Sequence, residues 1–177
     1  ESRSTCVAAR DAPVLIRSSP FQTREELLFE KCHIRKKKPF TDHMRRGVEL
    51  EPVALQQFCK EMNIDMTDIQ KPGFTRHPQF DYIGGVPDGI WDDTLIEIKC
   101  PSRFTHGGKP PQFYEDQMQV YMQIFNLKHG MYVEYIEGEK LNILSVERKD
   151  IWWQWVTPII KCFWEEVQYW RKDVDLL

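Results

Sequence analysis

The sequence lacks the features that mark membrane, secreted and zinc-binding proteins. No apolar run approaches the roughly 20 residues that span a bilayer, and the first residues, Glu1 to Ser4, contain no apolar stretch typical of a signal peptide. The five cysteines are scattered, odd in number and never spaced as CxxC, which argues against a zinc ribbon and a disulfide framework. Free thiols suit a reducing compartment, so we expect the protein in the cytoplasm or nucleus, without membrane attachment.

Internal repeats and low-complexity tracts are also missing, and a balance of 41% hydrophobic and 29% charged residues argues against disorder. The length predicts a single domain over residues 1–177. Because the chain begins with Glu1 rather than methionine, we expect a trimmed chain or a piece of a longer protein. A net charge of −3 argues against binding nucleic acid by bulk charge. The basic run His33–Lys38, with Arg45 and Arg46 nearby, could hold phosphates locally, or could be the solvated end of a helix.

The first half of the chain contains two helix signals. Thr23 begins a capping-box pattern that predicts a helix running to about Lys36. Apolar residues at near-helical spacing predict a second helical segment over residues 41–63. Gly47 and Pro52 interrupt this segment, so we expect it to be kinked or built in two pieces.

The second half contains both strand and helix patterns. Strands are predicted over 74–77, 80–85, 88–91 and 95–99, a loop over 101–110, a helix over 112–126, a hairpin from 131–135 and 141–146, and a tryptophan-rich helix over 150–172. Helices followed by an antiparallel sheet with one inserted helix, and then by a closing helix, predict an α+β or mixed α/β core.

The last of the four predicted consecutive strands carries two charged residues on one face. Side chains alternate between the faces of a strand, so Glu97 and Lys99 share a face with Leu95, whereas Ile96 and Ile98 share the other. The isoleucines can be buried in a core. The opposite face then presents a carboxylate and an ammonium group two residues apart.

A second carboxylate is expected beside this pair. A turn at Asp92-Asp93 folds Asp88 back alongside Glu97. Two carboxylates can hold Mg²⁺ or Mn²⁺, as one ion or as two about 4 Å apart, and the metal polarises a phosphodiester and lowers the pKa of a bound water. Lys99 could orient or deprotonate that water, or stabilise developing charge. This pattern predicts phosphodiester hydrolysis, and its alternative is an ordinary exposed hairpin.

Four blocks of the chain, over residues 3 to about 136, resemble in order the lambda-exonuclease/YqaJ family of viral recombination nucleases, a branch of the PD-(D/E)xK superfamily. The blocks are Thr5 to Leu27 with Asp11, Ser19-Pro20-Phe21 and Glu26; Met44-x-x-Gly47-x-x-x-Glu51-x-x-Ala54; Asp88 with Glu97-x-Lys99; and Gln117-x-Gln119-x-Tyr121.

The resemblance implies a restriction-endonuclease-like core, an α/β (α+β) fold in which a central mixed sheet is flanked by helices. It also implies a Mg²⁺- or Mn²⁺-dependent DNA exonuclease, 5′→3′ on double-stranded DNA ends, that acts in recombination or end processing. The partners it implies are a homo-oligomer, formed as a ring of three subunits, and a single-strand annealing protein. The implied catalytic residues are Asp88, Glu97, Lys99, Glu51 and Gln117, the metal ligands Asp88, Glu97, Ile98 and Glu51, and the substrate-binding residues Arg3, Arg10, Gln119 and Tyr121.

The chain departs from the family where the 5′-phosphate is expected to bind. Arg3 lies where the family has a phosphate-binding arginine, but Arg10 replaces a small serine and Val86 replaces a residue that is often hydroxylated. Arg10 could bind phosphate more strongly, as a bidentate donor, or could fill the pocket instead.

Other readings stay open at this stage. Glu51 could be a solvated helical glutamate, Gln117 and Gln119 could lie on plain polar helix faces, and Tyr121 could belong to the core. The six tryptophans favour core or subunit contacts over stacking with bases. The alternative functions are an endonuclease of the same superfamily, cutting DNA or RNA as cap-snatching enzymes do, and a catalytically silent nucleic-acid-binding module.

Overall fold

The structure is a computed structural model that describes residues 2–33, 41–105 and 107–172, without the side chains of Ser2 and Arg3. Most of the basic run predicted at 33–38 therefore lies outside the described residues. Within them the strands are β1 (Val7–Ala8), β2 (Ile69–Gln70), β3 (Thr75–Arg76), β4 (Ile83–Gly85), β5 (Gly89–Trp91), β6 (Thr94–Lys99), β7 (His129–Glu134) and β8 (Asn142–Glu147). The α-helices are α1 (Ala12–Leu15), α2 (Arg24–Lys31), α3 (Asp42–Met62), α4 (Gln112–Ile124) and α5 (Asp150–Trp170).

The strands form two mixed sheets. The larger has the order β2-β5-β6-β7-β8, and the smaller has the order β1-β4-β3. Both contain one parallel pair, β6 with β7 and β1 with β4. The predicted mixed sheet flanked by helices is confirmed, whereas the expectation of antiparallel pairing throughout is wrong. A parallel pair needs a long crossover, and α4 supplies it between β6 and β7.

Strand β6 lies at the centre of the larger sheet and separates two hydrophobic cores. Leu95 is buried in the core on the side of α4 and α5. Ile96 and Ile98 are buried on the other side, against Leu55 and Phe58 of α3. The predicted alternation of β6 is confirmed, and it directs Glu97 towards α4.

Helix α2 begins as predicted and ends earlier than predicted. The Thr23 hydroxyl accepts a hydrogen bond from the Glu26 N–H at 3.2 Å, and the Glu26 carboxylate accepts one from the Thr23 N–H at 3.2 Å. The helix ends at Lys31 rather than near Lys36, and His33 has a φ of 63°. A left-handed residue stops helical hydrogen bonding, which accounts for the shorter helix.

Helix α3 is one continuous helix of 21 residues, capped by Thr41. The expectation of two separate pieces is wrong. Pro52 lies on the exposed side of the helix, where the loss of one backbone N–H disturbs no core contact. The part that packs on the sheet is the second half, around Ala54 and Phe58.

Helix α5 carries most of the tryptophans. Trp164 is buried and Trp153 is half-buried, whereas Ile151 and Trp155 in the first turns are 84% and 57% exposed. The core role favoured for the tryptophans therefore applies to Trp164 and not to Trp155. Among the described helices, none has both the length and the apolarity that a membrane crossing requires.

Candidate active site

Glu97 is the most deeply buried of the predicted site residues. It lies on β6 with 1% of its surface exposed. Its Oε1 accepts hydrogen bonds from Lys99 Nζ at 2.5 Å and from Gln117 Nε2 at 2.8 Å. Its Oε2 is buried and has no hydrogen-bond partner within the described part of the chain. One oxygen of the carboxylate is thus held by two donors, and the other is left available.

Asp88 lies beside β6, where the predicted turn places it. It precedes β5, and its Oδ2 accepts a hydrogen bond from the Ile98 N–H at 2.7 Å. Lys99 Nζ lies 3.9 Å from the same oxygen. The carboxylates of Glu97 on β6 and of Asp88 just before β5 therefore both lie close to one ammonium group.

Lys99 is held from several directions. In addition to Glu97 and Asp88, its Nζ donates a hydrogen bond to the Ile98 carbonyl at 3.0 Å and lies 5.0 Å from the centre of the Tyr114 ring. Burial acts to lower the pKa of Lys99, but the carboxylates of Glu97 and Asp88 outweigh burial and raise this pKa above its usual range. The ammonium form is stabilised in this arrangement.

The pKa of Glu97 moves in the direction expected for a buried acid. Burial raises the pKa of Glu97, and the charge of Asp88 raises it further, while Lys99 opposes both. The site concentrates negative charge in a place with little water. Such a place favours the binding of a cation.

Glu51, on α3, lies near enough to Asp88 and Lys99 for their charges to act on its carboxyl group. Its side chain is half-buried, whereas that of Glu49 is exposed. Burial raises the pKa of Glu51 and the Asp88 carboxylate raises it further, while Lys71 and Lys99 lower it. Glu51 therefore shares the electrostatic environment of Asp88 and Lys99, whereas Glu49 is exposed to solvent.

One face of α4 covers the site. Gln117 binds Glu97, and its Nε2 lies 3.4 Å from the Tyr121 hydroxyl one turn later. Tyr114, one turn before Gln117, lies over Lys99. Tyr114 is not among the residues predicted from the sequence, although its spacing of three from Gln117 and seven from Tyr121 is the spacing of one helix face.

Tyr121 belongs both to the core and to the edge of the site. It is buried, and a Cβ added at Gly85 would come within 2.5 Å of its ring. Burial raises the pKa of the Tyr121 hydroxyl, as do the nearby charges of Glu97 and Asp88. The glycine allows β4 to approach α4 closely.

Gln119 is not brought to the site. It lies two residues from Gln117, on another side of α4, and is 1% exposed. Its amide donates to the Glu147 carbonyl at 2.8 Å and accepts from the Lys149 N–H at 2.7 Å. In this structure Gln119 joins α4 to the connection between β8 and α5, so its predicted contact with substrate has no geometric support.

The segment before α1 lies next to the site. Ala8 pairs with Gly84 in the smaller sheet, and a Cβ at Gly85 would lie 3.2 Å from that of Ala9. Arg10 follows with an exposed side chain, whose Nε lies 3.8 Å from Asp11 Oδ1. The side chain of Arg3 lies outside the described residues. Arg10 therefore comes directly after Ala9, which packs against Gly85, and its guanidinium group is accessible.

A family model described as "YqaJ-like viral recombinase domain" matches residues 1–128. The chain belongs to this family. The resemblance inferred from the sequence is thereby confirmed. No curated protein matches the chain.

Solved structures extend the YqaJ-like match over nearly the whole chain. The chain is similar to an alkaline exonuclease from Laribacter hongkongensis, with a TM-score of 0.84 and 25% identity, over 98% of this chain and 93% of that one. The complex of that enzyme with dAMP gives a TM-score of 0.83 and 26% identity, over 99% and 97%. A phage related exonuclease from Haemophilus somnus 129PT gives 0.72 at 12% identity, over 96% and 95%, which shows the fold alone.

The donors of this YqaJ-like site fit a hard divalent cation in their chemistry. Asp88, Glu97 and Glu51 supply carboxylates, Ile98 supplies a main-chain carbonyl next to Lys99, and Glu97 Oε2 is buried without a partner. As these side chains stand, no three acidic, histidine or cysteine side chains in residues 2–33, 41–105 and 107–172 are grouped closely enough to hold a metal ion. Lys99 takes the other oxygen of Glu97 in this arrangement.

Proposed function

We propose that this chain is a metal-dependent DNA exonuclease that hydrolyses phosphodiester bonds at the ends of double-stranded DNA, in recombination or end processing. The observation that carries the proposal is the buried Glu97 carboxylate, with one oxygen held by Lys99 and Gln117 and the other unpartnered beside Asp88. A buried carboxylate oxygen without a hydrogen bond is costly unless a ligand binds it, and a metal cation would satisfy this one.

The solved relatives support the choice of exonuclease over other phosphodiesterases. The Laribacter hongkongensis protein is an alkaline exonuclease, and its structure is known in complex with dAMP. A deoxynucleoside monophosphate is the product that an exonuclease releases from DNA. We carry this activity over to the present chain because both the fold and 25–26% of the sequence are shared.

The chain's own residues have distinct tasks in this proposal. Lys99 places a positive charge next to the scissile phosphate and orients the attacking water. Gln117 fixes the rotamer of Glu97 through its hydrogen bond to Oε1, and the Ile98 N–H fixes Asp88. These contacts orient Glu97 and Asp88 before substrate binds, and the acidic side chains would have to move closer together to hold a metal ion.

We propose that Asp88, Glu97, Ile98 and Glu51 hold Mg²⁺ or Mn²⁺, as one ion or two, since hard cations prefer oxygen donors. When bound, the ion would polarise the phosphate and lower the pKa of its water. We also propose that three subunits form a ring and that a single-strand annealing protein is a partner. Residues 1–177 act as one domain in this proposal.

The principal test is a digestion of end-labelled linear duplex beside a covalently closed circle, each with Mg²⁺, with Mn²⁺ and with EDTA. We expect loss of the linear DNA only, and only with metal. Glu97→Gln keeps the shape of the side chain and removes its charge, so it should be inactive while its melting temperature stays near that of wild type. Glu137→Gln, an exposed residue in the β7–β8 turn, is the matched control.

Each alternative function gives a different gel. Cutting of the closed circle would favour the endonuclease, and binding without cleavage would favour the silent module. Polarity is read from the label, because a 5′→3′ enzyme releases a 5′ label at once and a 3′ label late. Cleavage by Glu97→Gln at the wild-type rate would overturn the assignment of this site.

The 5′→3′ direction rests on Arg3 and Arg10, which we propose bind the terminal phosphate. A phosphomonoester carries about −1.5 to −2 charge, more than a bridging diester, so a guanidinium group gains most at such an end. Wild type should degrade 5′-phosphorylated duplex faster than 5′-hydroxyl duplex, and Arg10→Ala should bring this ratio towards one. Arg17→Ala, also an exposed arginine, should not. If Arg10→Ser raises the ratio instead, Arg10 fills the pocket.

A further inference from the structure

We propose that Tyr114 is a positioning residue for Lys99, acting through the face of its aromatic ring. The inference rests on the proposed function, because it concerns how the catalytic lysine of that site is held. None of the four sequence blocks that carry the family resemblance includes Tyr114.

The ring contacts the Lys99 ammonium from a different element than its hydrogen-bond partners do. Lys99 Nζ is bound by Glu97 Oε1 at 2.5 Å and by the Ile98 carbonyl at 3.0 Å, both on β6 itself. Tyr114 comes from α4 and lies 5.0 Å from the same nitrogen. A cation within about 6 Å of a ring face is attracted by the negative potential of that face, and more strongly when it is desolvated.

This contact restricts a flexible side chain. A long lysine side chain loses much conformational freedom when it is ordered, and 22% of the Lys99 side chain is exposed. The hydrogen bond to Glu97 and the charge of Asp88 both draw the ammonium towards the carboxylates. The ring supplies a surface that the lysine stem cannot cross, and so keeps Nζ at the edge of the site where a phosphate would lie.

The ring is supported from behind by buried groups. Tyr114 packs on Tyr132 with ring centres 5.6 Å apart, and Tyr132 is fully buried on β7. The Tyr132 hydroxyl donates to Glu134 Oε1 at 3.2 Å, and Glu134 also binds Thr105 and Asn142. Glu134 pairs in register with Lys99 on the neighbouring strand. Through Tyr132, the Tyr114 ring is therefore linked to Glu134, the residue of β7 that pairs with Lys99.

The ring, and not its hydroxyl, carries this role. Among the hydrogen bonds of the described residues, none involves the Tyr114 hydroxyl, in contrast to that of Tyr132. Phenylalanine at position 114 keeps the face that contacts Lys99. Leucine keeps apolar volume and removes the face.

The experiment compares Tyr114→Leu and Tyr114→Phe with wild type on linear duplex, with Phe125→Leu as the control for lost aromatic packing at the far end of α4. We expect Tyr114→Leu to lower kcat about tenfold, the rate equivalent of one desolvated cation–π contact, with KM nearly unchanged. Tyr114→Phe should recover most of this loss. Equal losses in Tyr114→Leu and Phe125→Leu, or no recovery with phenylalanine, would overturn the inference.

A second measurement does not depend on catalysis. In ¹⁵N-labelled protein with EDTA and without DNA, the Lys99 ammonium resonance, assigned from Lys99→Arg, should be shifted upfield by the ring current of Tyr114. The shift should disappear in Tyr114→Leu and persist in Tyr114→Phe. If wild type has no nuclease activity, the proposed function fails whatever this spectrum shows. If wild type is active and no ring-current shift exists, only the present inference fails.

Discussion

Glu97 is buried between β6 and α4, where an isolated carboxylate would be destabilised by the loss of its hydration. Lys99 and Gln117 offset this cost at one oxygen only. The desolvation cost at the other oxygen, Oε2, is not offset in this structure. A cation that bound this oxygen would remove that cost, so the same cost favours cation binding. Glutamine at position 97 removes the charge that has to be accommodated, which is why Glu97→Gln is a better inactive variant than Glu97→Ala.

The contribution of α3 to the site can be tested at a single residue. Glu51→Gln removes a carboxylate that lies in the field of Asp88 and Lys99, so we expect it to lower kcat/KM on linear duplex, by on the order of 10- to 100-fold. It should also raise the Mg²⁺ concentration that gives half-maximal rate. Both quantities come from initial rates over a metal titration.

Glu49→Gln is the matched control for this prediction. Glu49 lies on the same helix, two residues away, with an exposed side chain. Its substitution should leave kcat/KM within about twofold of wild type, as surface changes usually do. Equal effects of the two substitutions would mean that Glu51 acts only through the overall charge of α3.

Local periodicity predicted some residues of the site and missed others. Strand alternation alone put Glu97 and Lys99 on one face, and the structure has them there. The directions of Tyr114 and Gln119 depend on how α4 is rotated about its axis, and a short glutamine motif does not determine that rotation. The motif groups Gln119 with Gln117, but about 200° of helical rotation separates their directions.

At the level of elements, the predictions succeeded where a segment has a long, regular pattern. β6, α4 and α5 were found close to their observed bounds. β1 and β2 have two residues each and were missed, because their pairing is set by distant partners such as Ile83 for Val7. No local pattern encodes a contact between residues so far apart in sequence.

The packing of α5 on the loop after β3 predicts a pH dependence of stability. His77 is buried, its ring stacks on Trp153 at 5.4 Å and lies 4.9 Å from Phe80, and its Nδ1 accepts a hydrogen bond from the Gln79 N–H. Burial lowers the pKa of His77. The unfolded chain therefore binds a proton more readily than the folded one at this position. Stability should be unaffected well above the ordinary histidine pKa of about 6.5 and should fall as the pH drops below it.

His77→Phe keeps the stacking and removes the proton-binding group. The free energy of unfolding, measured in urea from pH 7.5 to pH 5, should fall less steeply in this variant than in wild type, by at most about 1.4 kcal/mol per pH unit. Val156→Ala serves as the control. It removes a fully buried side chain of α5 without a titratable group, so its loss should be the same at every pH. Parallel curves for wild type and His77→Phe would show that His77 is not involved.

Across the whole molecule, distant parts of the chain meet around the segment that precedes α1. Arg171, just after α5, donates through its Nε to the Lys31 carbonyl, and its guanidinium group also donates to the Ser4 carbonyl. Lys31 Nζ lies 2.6 Å from Asp11 Oδ2 and donates to the Cys6 carbonyl at 2.9 Å. The segment that leads to Arg10 is thus fixed by α2 and by the end of α5, and the proposed phosphate contact depends on both.

The buried pair of Lys31 and Asp11 gives the prediction for the molecule as a whole. Asp11 Oδ2 also accepts the Ala8 N–H at 2.8 Å, so Lys31→Met would leave the buried carboxylate with this hydrogen bond and a longer contact to the half-exposed Arg10. We expect a loss of about 3–5 kcal/mol in the free energy of unfolding, measured in urea by far-UV circular dichroism. Adding Asp11→Asn should recover much of this loss, because it removes the buried charge that has lost its lysine and keeps an oxygen for Ala8. Lys161→Met breaks an exposed pair with Glu165 and should cost less than about 0.5 kcal/mol. If Lys31→Met costs no more than this control, the pair does not secure the segment. If the double variant recovers nothing, packing by the lysine stem is what matters.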